Sequence, residues 1–135
     1  FDMDGLLIDS EPFWEEADLA VFPEVGVPLT RKMTNETLGL RVDEAVEHWY
    51  RRYPWKGATQ QEVSARIVER VVSLIKERGA PRPGVKELVE LFKSKKLPMA
   101  IASSSPMDVI NAVMDVIGIC EHLQAVHSAQ HEQYG

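Results

Sequence analysis

The first twelve residues, "FDMDGLLIDSEP", constrain the fold more than any other stretch of the chain. Asp2 and Asp4 flank a single residue and precede Gly5, which permits a sharp turn. Residues i and i+2 of a β-strand point to the same face, so a strand ending here would direct both carboxylates to one spot. We therefore predict a strand end at the sheet edge where open α/β sheets bind ligands. The alternative is a pair of ordinary turn and helix-cap residues.

Helical and strand patterns alternate in the last part of the chain. "VKELVELFKSKK" predicts an amphipathic helix, "LPMAIASSS" a buried strand, "MDVINAVMDVIG" a second helix and "LQAVHSA" a further strand. Such alternation is typical of a parallel sheet, so we predict an α/β fold. The stretch between the first predicted strand and this region is helical in pattern almost throughout. Within it, Thr59 and Glu62 predict a capping box at a helix start.

Composition excludes several classes of protein and partner. The net charge of −6 argues against a nucleic-acid partner, and the sequence contains no apolar run long enough to cross a bilayer. Cys120 is the one cysteine of the chain, which excludes an internal disulfide and is typical of a reducing compartment. We therefore expect a cytoplasmic protein that has no membrane partner and is monomeric.

Three serines, Ser103–Ser105, end the strand predicted from "LPMAIASSS", and Pro106 follows at a predicted helix start. Parallel strands end at the same edge of a sheet, so these serines should emerge beside Asp2 and Asp4. Backbone N–H groups at a helix start bind anions. Carboxylates beside an anion need a divalent cation between them, and Mg²⁺ is the hard, oxygen-ligated choice. The combination indicates phosphoryl transfer, although a plain helix-cap cluster is the economical alternative for the serines.

The motifs "DMDGLLIDSEP", "PGVKELV" and "IASSSP" resemble those of the haloacid dehalogenase (HAD) superfamily, in particular its phosphatases with a helical cap. The stretches "DSEPFWEEAD" and "TLGLRVDEAVEHWYRRYPW" are most similar to bacterial 2-deoxyglucose-6-phosphate (hexitol phosphate) phosphatases. The resemblance implies a Rossmann-like parallel-sheet core, incomplete here, formed by residues 1–10 and 80–135. Residues 11–79 would form an inserted α-helical cap.

The resemblance also implies roles for individual residues. Asp2 would be the nucleophile that forms an aspartyl-phosphate, and Asp4 would be the general acid and base. The Asp2 carboxylate and the Asp4 backbone carbonyl would bind Mg²⁺. Ser103 would bind the phosphate through its hydroxyl and Ser104 through its backbone N–H. The substrate would be a small phosphorylated metabolite, a sugar phosphate above all.

The predicted cap adds one candidate substrate ligand. Arg41, in "LGLRVD", matches a cap loop that faces the substrate in relatives, and an ordinary solvent-exposed arginine is the alternative. Trp49, Tyr50 and Trp55 stand at helical spacing, which favours a place in a core over a role as a sugar-stacking platform.

Relatives carry apolar residues before the Phe-Asp pair, and they continue after "HSAQHEQYG" into a lysine-proline and later an acidic pair. We therefore expect the chain to be a fragment of a longer phosphatase, inactive by itself. Two other functions stay open. One is a β-phosphoglucomutase-like phosphotransferase, which would share Asp2 and Asp4, and the other is a catalytically inert remnant.

Overall fold

The computed structural model describes residues 1–130, which fall into two compact units. One, the sheet unit, combines Phe1–Glu11 with the residues from Val72 onward. The other, the helical unit, consists of Pro12–Val71. The first unit is therefore discontinuous in sequence, and the second is a single continuous segment.

The helices and strands follow the predicted alternation closely. Helices come first along the chain: α1 (Glu11–Glu24), α2 (Arg31–Thr34), α3 (Val42–Arg52) and α4 (Gln60–Arg78). They are followed by α5 (Val85–Ser94), β1 (Ala100–Ser103), α6 (Met107–Ile117), a 3₁₀ turn (Cys120–His122) and β2 (Ala125–Ser128). No helix within residues 1–130 combines the length and apolar character needed to cross a membrane.

The core of the helical unit is aromatic. Trp49 and Phe22 are fully buried, and their rings meet edge to face with centroids 6.4 Å apart. Trp55, 7% exposed, packs on Phe22 and on Tyr50 in the same manner. Edge-to-face pairs of this kind stabilise a core beyond the area that they bury. Trp49 and Trp55 are therefore core residues, as their helical spacing predicts.

The start of α4 has the predicted capping box. The Thr59 backbone N–H donates to the Glu62 carboxylate (2.7 Å), and the Glu62 backbone N–H donates to the Thr59 hydroxyl (3.1 Å). Each side chain thereby satisfies a backbone donor that the helix itself leaves unpaired.

Strands β1 and β2 form a parallel pair, which confirms the predicted α/β class. Their register places Ala100 opposite Ala125 and Ser103 opposite Ser128, so both strands end together. Helix α6 connects them and ends at Gly118, which adopts the left-handed conformation (φ 75°) that favours glycine at a helix end. The last residues of β1 and β2 therefore lie side by side at one edge of the sheet.

The opening residues differ from the predicted regular strand. The Phe1 amino group donates to the Ala100 carbonyl, and the Ala102 N–H donates to the Phe1 carbonyl, in the pattern of a parallel pair. The chain then turns at once, since the Met3 carbonyl accepts from the N–H groups of the residues three and four positions ahead. Gly5 has φ 73°, so the turn starts beside Asp4 and leaves the two aspartates outside a regular strand.

Candidate active site

The carboxylate of Asp4 is the centre of a cluster of serine hydroxyls. Its Oδ1 accepts a hydrogen bond from Ser10 (2.5 Å), and its Oδ2 accepts from Ser105 (2.8 Å) and Ser103 (3.2 Å). Ser10, Ser103 and Ser105 are all buried, and Asp4 is half-buried. A carboxylate has about four acceptor positions, so three of them are filled here. The arrangement holds the side chain in one orientation.

Three hydrogen bonds that involve backbone atoms fix the turn that follows β1. The Ser105 N–H donates to the Ser103 hydroxyl (3.0 Å), and the Ala129 N–H donates to the Ser103 carbonyl (2.9 Å). The Ser128 hydroxyl, at the end of β2, donates to the Ser105 carbonyl (2.7 Å). The serine turn is therefore bound both to Asp4 and to the neighbouring strand.

The structure brings Asp4 and Ser103 into direct contact, as expected for two strands that end at one edge. Ser104 lies on the same turn with an exposed side chain. Asp2 is exposed too, and its Oδ1 accepts the Met3 N–H at 2.7 Å. The exposed Asp2 carboxylate is therefore accessible to a ligand.

Sequence reasoning assigned no contact with Asp4 to two of the residues that bind it. Ser10 directly precedes α1, where a serine is an ordinary turn or cap residue, and Ser105 belongs to the serine cluster predicted to emerge beside Asp2 and Asp4, for which a helix cap was the alternative. Both hydroxyls donate to Asp4. Their positions in the sequence were the signal that could have indicated these contacts. Ser10 closely follows the opening motif, and Ser105 ends the segment predicted to reach the same sheet edge.

Acidic groups dominate the local electrostatics. Desolvation raises the pKa of Glu11, and the nearby carboxylates of Asp4 and Asp9 raise it further. The Arg82 guanidinium lies 3.6 Å from Asp9, with both side chains largely exposed. A phosphate dianion entering such a site would meet repulsion that only donors or a cation could offset.

The donor set suits Mg²⁺. An accessible aspartate carboxylate and a backbone carbonyl at Asp2 and Asp4 are hard oxygen ligands, and this ion is commonly held by one or two carboxylates together with waters. Within the part of the chain that the structure describes, no group of three acidic, histidine or cysteine side chains is placed to hold a metal. Asp2 is thus a candidate side-chain ligand for such an ion.

Arg41 lies in the helical unit, immediately before α3. Its Nε donates to Asp43 Oδ1 (3.1 Å) and its Nη2 to Asp43 Oδ2 (2.6 Å), and the Arg41 side chain is 15% exposed. The hydrogen bond from Arg41 holds the pKa of Asp43 below its ordinary value. The guanidinium is thus held by a carboxylate two positions further along the chain.

Comparison with known proteins identifies the family. The family model for haloacid dehalogenase-like hydrolases matches residues 1–134. Hexitol phosphatase B of Escherichia coli (strain K12) is 42% identical over 135 residues, which are 99% of this chain and 61% of that protein. The phosphorylated carbohydrates phosphatase of Thermotoga maritima is 31% identical over 106 residues, which are 78% of this chain and 49% of that protein.

A solved structure supports the same fold. CbbY from Rhodobacter sphaeroides, in complex with phosphate, superposes with a TM-score of 0.85 at 22% identity, over 98% of this chain and 64% of that one. The chain thus spans about six tenths of the length of hexitol phosphatase B, and less of the Thermotoga protein. The matched family, together with the parallel strands β1 and β2 and the serine turn that binds Asp4, shows that this chain belongs to the haloacid dehalogenase-like hydrolases.

Proposed function

We propose that the protein carrying this chain hydrolyses small sugar phosphates, of the hexitol phosphate or 2-deoxyglucose-6-phosphate type. The observation that carries the proposal is the hydrogen bonding of Asp4 to the serine turn at the end of β1. It joins a candidate proton donor to a candidate phosphate-binding turn. Two relatives named as a hexitol phosphatase and a phosphorylated carbohydrates phosphatase support the substrate class.

In the proposed mechanism Asp2 attacks the phosphorus, and the bond between phosphorus and the sugar oxygen breaks. Asp4, protonated at that stage, donates its proton to the departing sugar oxygen. Its carboxylate then takes a proton from the water that hydrolyses the aspartyl-phosphate, which releases inorganic phosphate and restores Asp2. Splitting one displacement into two steps in this way lowers the barrier of each.

Binding of the phosphate is assigned to the serine turn. The Ser103 hydroxyl turns from Asp4 to the phosphate, and the Ser104 backbone N–H supplies a second donor near the start of α6. The Asp2 carboxylate and the Asp4 carbonyl would hold Mg²⁺. That ion neutralises phosphoryl charge when bound, which is where most of the catalysis in phosphoryl transfer originates. Arg41 is proposed to contact the sugar portion.

The test uses the protein that carries this chain, purified and assayed with Mg²⁺ on a hexitol phosphate. Asp2→Asn should abolish release of inorganic phosphate, because the amide is a poor nucleophile. Asp4→Asn should reduce turnover by about 10²–10⁴-fold, the usual contribution of a general acid or base. Asp9→Asn is the matched control, since Asp9 is a nearby exposed aspartate with no proposed catalytic role.

Near wild-type turnover by Asp2→Asn would contradict the assignment of the nucleophile. Product analysis separates the remaining functions. Inorganic phosphate identifies a phosphatase, and a sugar phosphate with its phosphate on another oxygen identifies a β-phosphoglucomutase-like transferase. A wild-type protein that forms neither product would be an inert remnant.

We further propose that the protein is cytoplasmic and monomeric.

A further inference from the structure

The two oxygens of the Asp4 carboxylate are bound differently. Among residues 1–130, Oδ1 accepts from Ser10 alone, whereas Oδ2 accepts from both Ser103 and Ser105. An oxygen with two donors has both of its lone pairs occupied, so it cannot hold a proton until one donor leaves. The contact most easily lost is that of Ser103, because its 3.2 Å hydrogen bond is the longest of the three.

Phosphate binding would remove the Ser103 contact in particular. Under the proposed function, the Ser103 hydroxyl serves the phosphate, and its departure opens a position on Oδ2 on the side of the phosphate. The Ser105 hydroxyl, 2.8 Å from the same oxygen, remains bound. In this scheme Oδ2 carries the proton toward the substrate because its vacated position faces the phosphate, and Ser105 keeps it pointed there.

Ser105 is itself held firmly by its own backbone. Its N–H donates to the Ser103 hydroxyl, and its carbonyl accepts from Ser128 at 2.7 Å. Ser105 is 7% exposed, so water cannot readily replace it as a donor to Asp4. Because Ser128 stands in register with Ser103, its hydrogen bond to the Ser105 carbonyl ties the serine turn to the end of β2.

We propose that Ser105 is a positioning residue for proton transfer by Asp4, with Ser128 as its structural support. The proposal rests on the proposed function. Ser105 acts through Asp4 and contacts neither the phosphorus nor the sugar oxygen. It holds Oδ2 so that the proton on that oxygen passes to the sugar oxygen as the phosphorus–oxygen bond breaks and the Asp2–phosphorus bond forms.

The experiment separates proton transfer from every other effect by changing the leaving group. The leaving group of a hexitol phosphate is an alkoxide, which requires a proton. The leaving group of p-nitrophenyl phosphate is a stable phenolate, which does not. The rate of the first half-reaction is measured with each ester by rapid quench, as the burst of released alcohol or phenol, in the protein that carries this chain. Thermal unfolding of each variant is recorded as a check on folding.

Ser105→Ala should slow the first half-reaction with the hexitol phosphate about 10- to 100-fold, because the substitution impairs the proton transfer. The first half-reaction with p-nitrophenyl phosphate should slow less than about threefold, because it needs no proton transfer. Ser128→Ala should show the same selectivity with a smaller effect. Ser73→Ala removes an exposed serine hydroxyl of the sheet unit and should leave both rates unchanged. Ser105→Thr, which keeps the hydroxyl, should retain most of the wild-type rate with the hexitol phosphate.

A Ser105→Ala variant that slows both esters equally, or that slows neither, would overturn the proposal while leaving the proposed function intact. So would a variant whose loss of rate follows its loss of thermal stability with both esters. A wild-type protein that hydrolyses neither ester would overturn the proposed function, and the role of Ser105 with it.

Discussion

Asp18 provides a test of the electrostatics of the helical unit that does not depend on catalysis. It lies in α1 next to the fully buried Ala17, and burial raises its pKa from the ordinary 3.8 to about 7. A raised pKa means that the folded protein binds the proton more tightly than the unfolded chain. The resulting stabilisation is complete below the unfolded pKa near 3.8, and it is lost as the pH rises through about 7.

The size of the effect follows from the two pKa values. Each pKa unit corresponds to about 1.4 kcal/mol, so the gap between 3.8 and about 7 is worth about 4 kcal/mol at alkaline pH. Asp18→Asn removes the ionisable group and retains a similar shape. Relative to the wild type, this variant should gain about 4 kcal/mol of unfolding free energy at pH 8 and about 2 kcal/mol at pH 5.

Urea unfolding followed by tryptophan fluorescence is the appropriate assay, because all three tryptophans of the chain, Trp14, Trp49 and Trp55, lie in the helical unit. Asp108→Asn is the matched control. It makes the same charge change on an exposed side chain in α6, so its effect should vary little with pH. If the stability difference between Asp18→Asn and the wild type were the same at pH 5 and pH 8, burial would not control the ionisation of Asp18.

Two further predictions concern the helical unit. Arg41→Ala should raise KM for a hexitol phosphate more than for a small generic phosphate ester, because it removes binding to the non-reacting part of the substrate. Steady-state kinetics with both esters measures the two KM values. Arg66→Ala, at an exposed arginine, is the control. Equal effects of Arg41→Ala on the two esters would show that Arg41 is an ordinary surface residue. Thr59→Ala should lower the unfolding free energy by about 1 kcal/mol through loss of the capping box, and Thr59→Ser should not. Urea unfolding decides this, and an unchanged midpoint for Thr59→Ala would show that the cap does not contribute.

Features set by local sequence were predictable. The capping box at Thr59, the end of α6 at Gly118 and the short apolar strand before the serines all depend on a few adjacent residues, and the structure contains each of them. The parallel pairing of β1 and β2 followed from the intervening helix alone. Periodicity and end signals carry this information because the interactions responsible span only a turn or two.

The detailed bonding of the site was not predictable in the same way. A serine hydroxyl can cap a helix, bind its own backbone or reach a distant acceptor, and the choice depends on tertiary contacts. Ser10 and Ser105 both adjoin helix starts, where a local cap was an available interpretation, and both donate to Asp4. Arg41 pairs with Asp43 only two positions away, because Arg41 precedes the helix and has an extended backbone (ψ 151°).

The bonds from Asp4 to the serine turn span 99 and 101 positions of sequence. Closing a flexible loop of that length costs about 4 kcal/mol of chain entropy, so these bonds belong to the high-contact-order part of the fold, which tends to form late. The helical unit lies inside the loop and packs around its own aromatic core. Once such an insert is ordered, only the residues outside it still count as flexible chain. Ordering of the helical unit would thereby shorten the search for the partners of Asp4, and the speed with which the site assembles would then depend also on core residues, such as Trp49, that have no proposed role in catalysis.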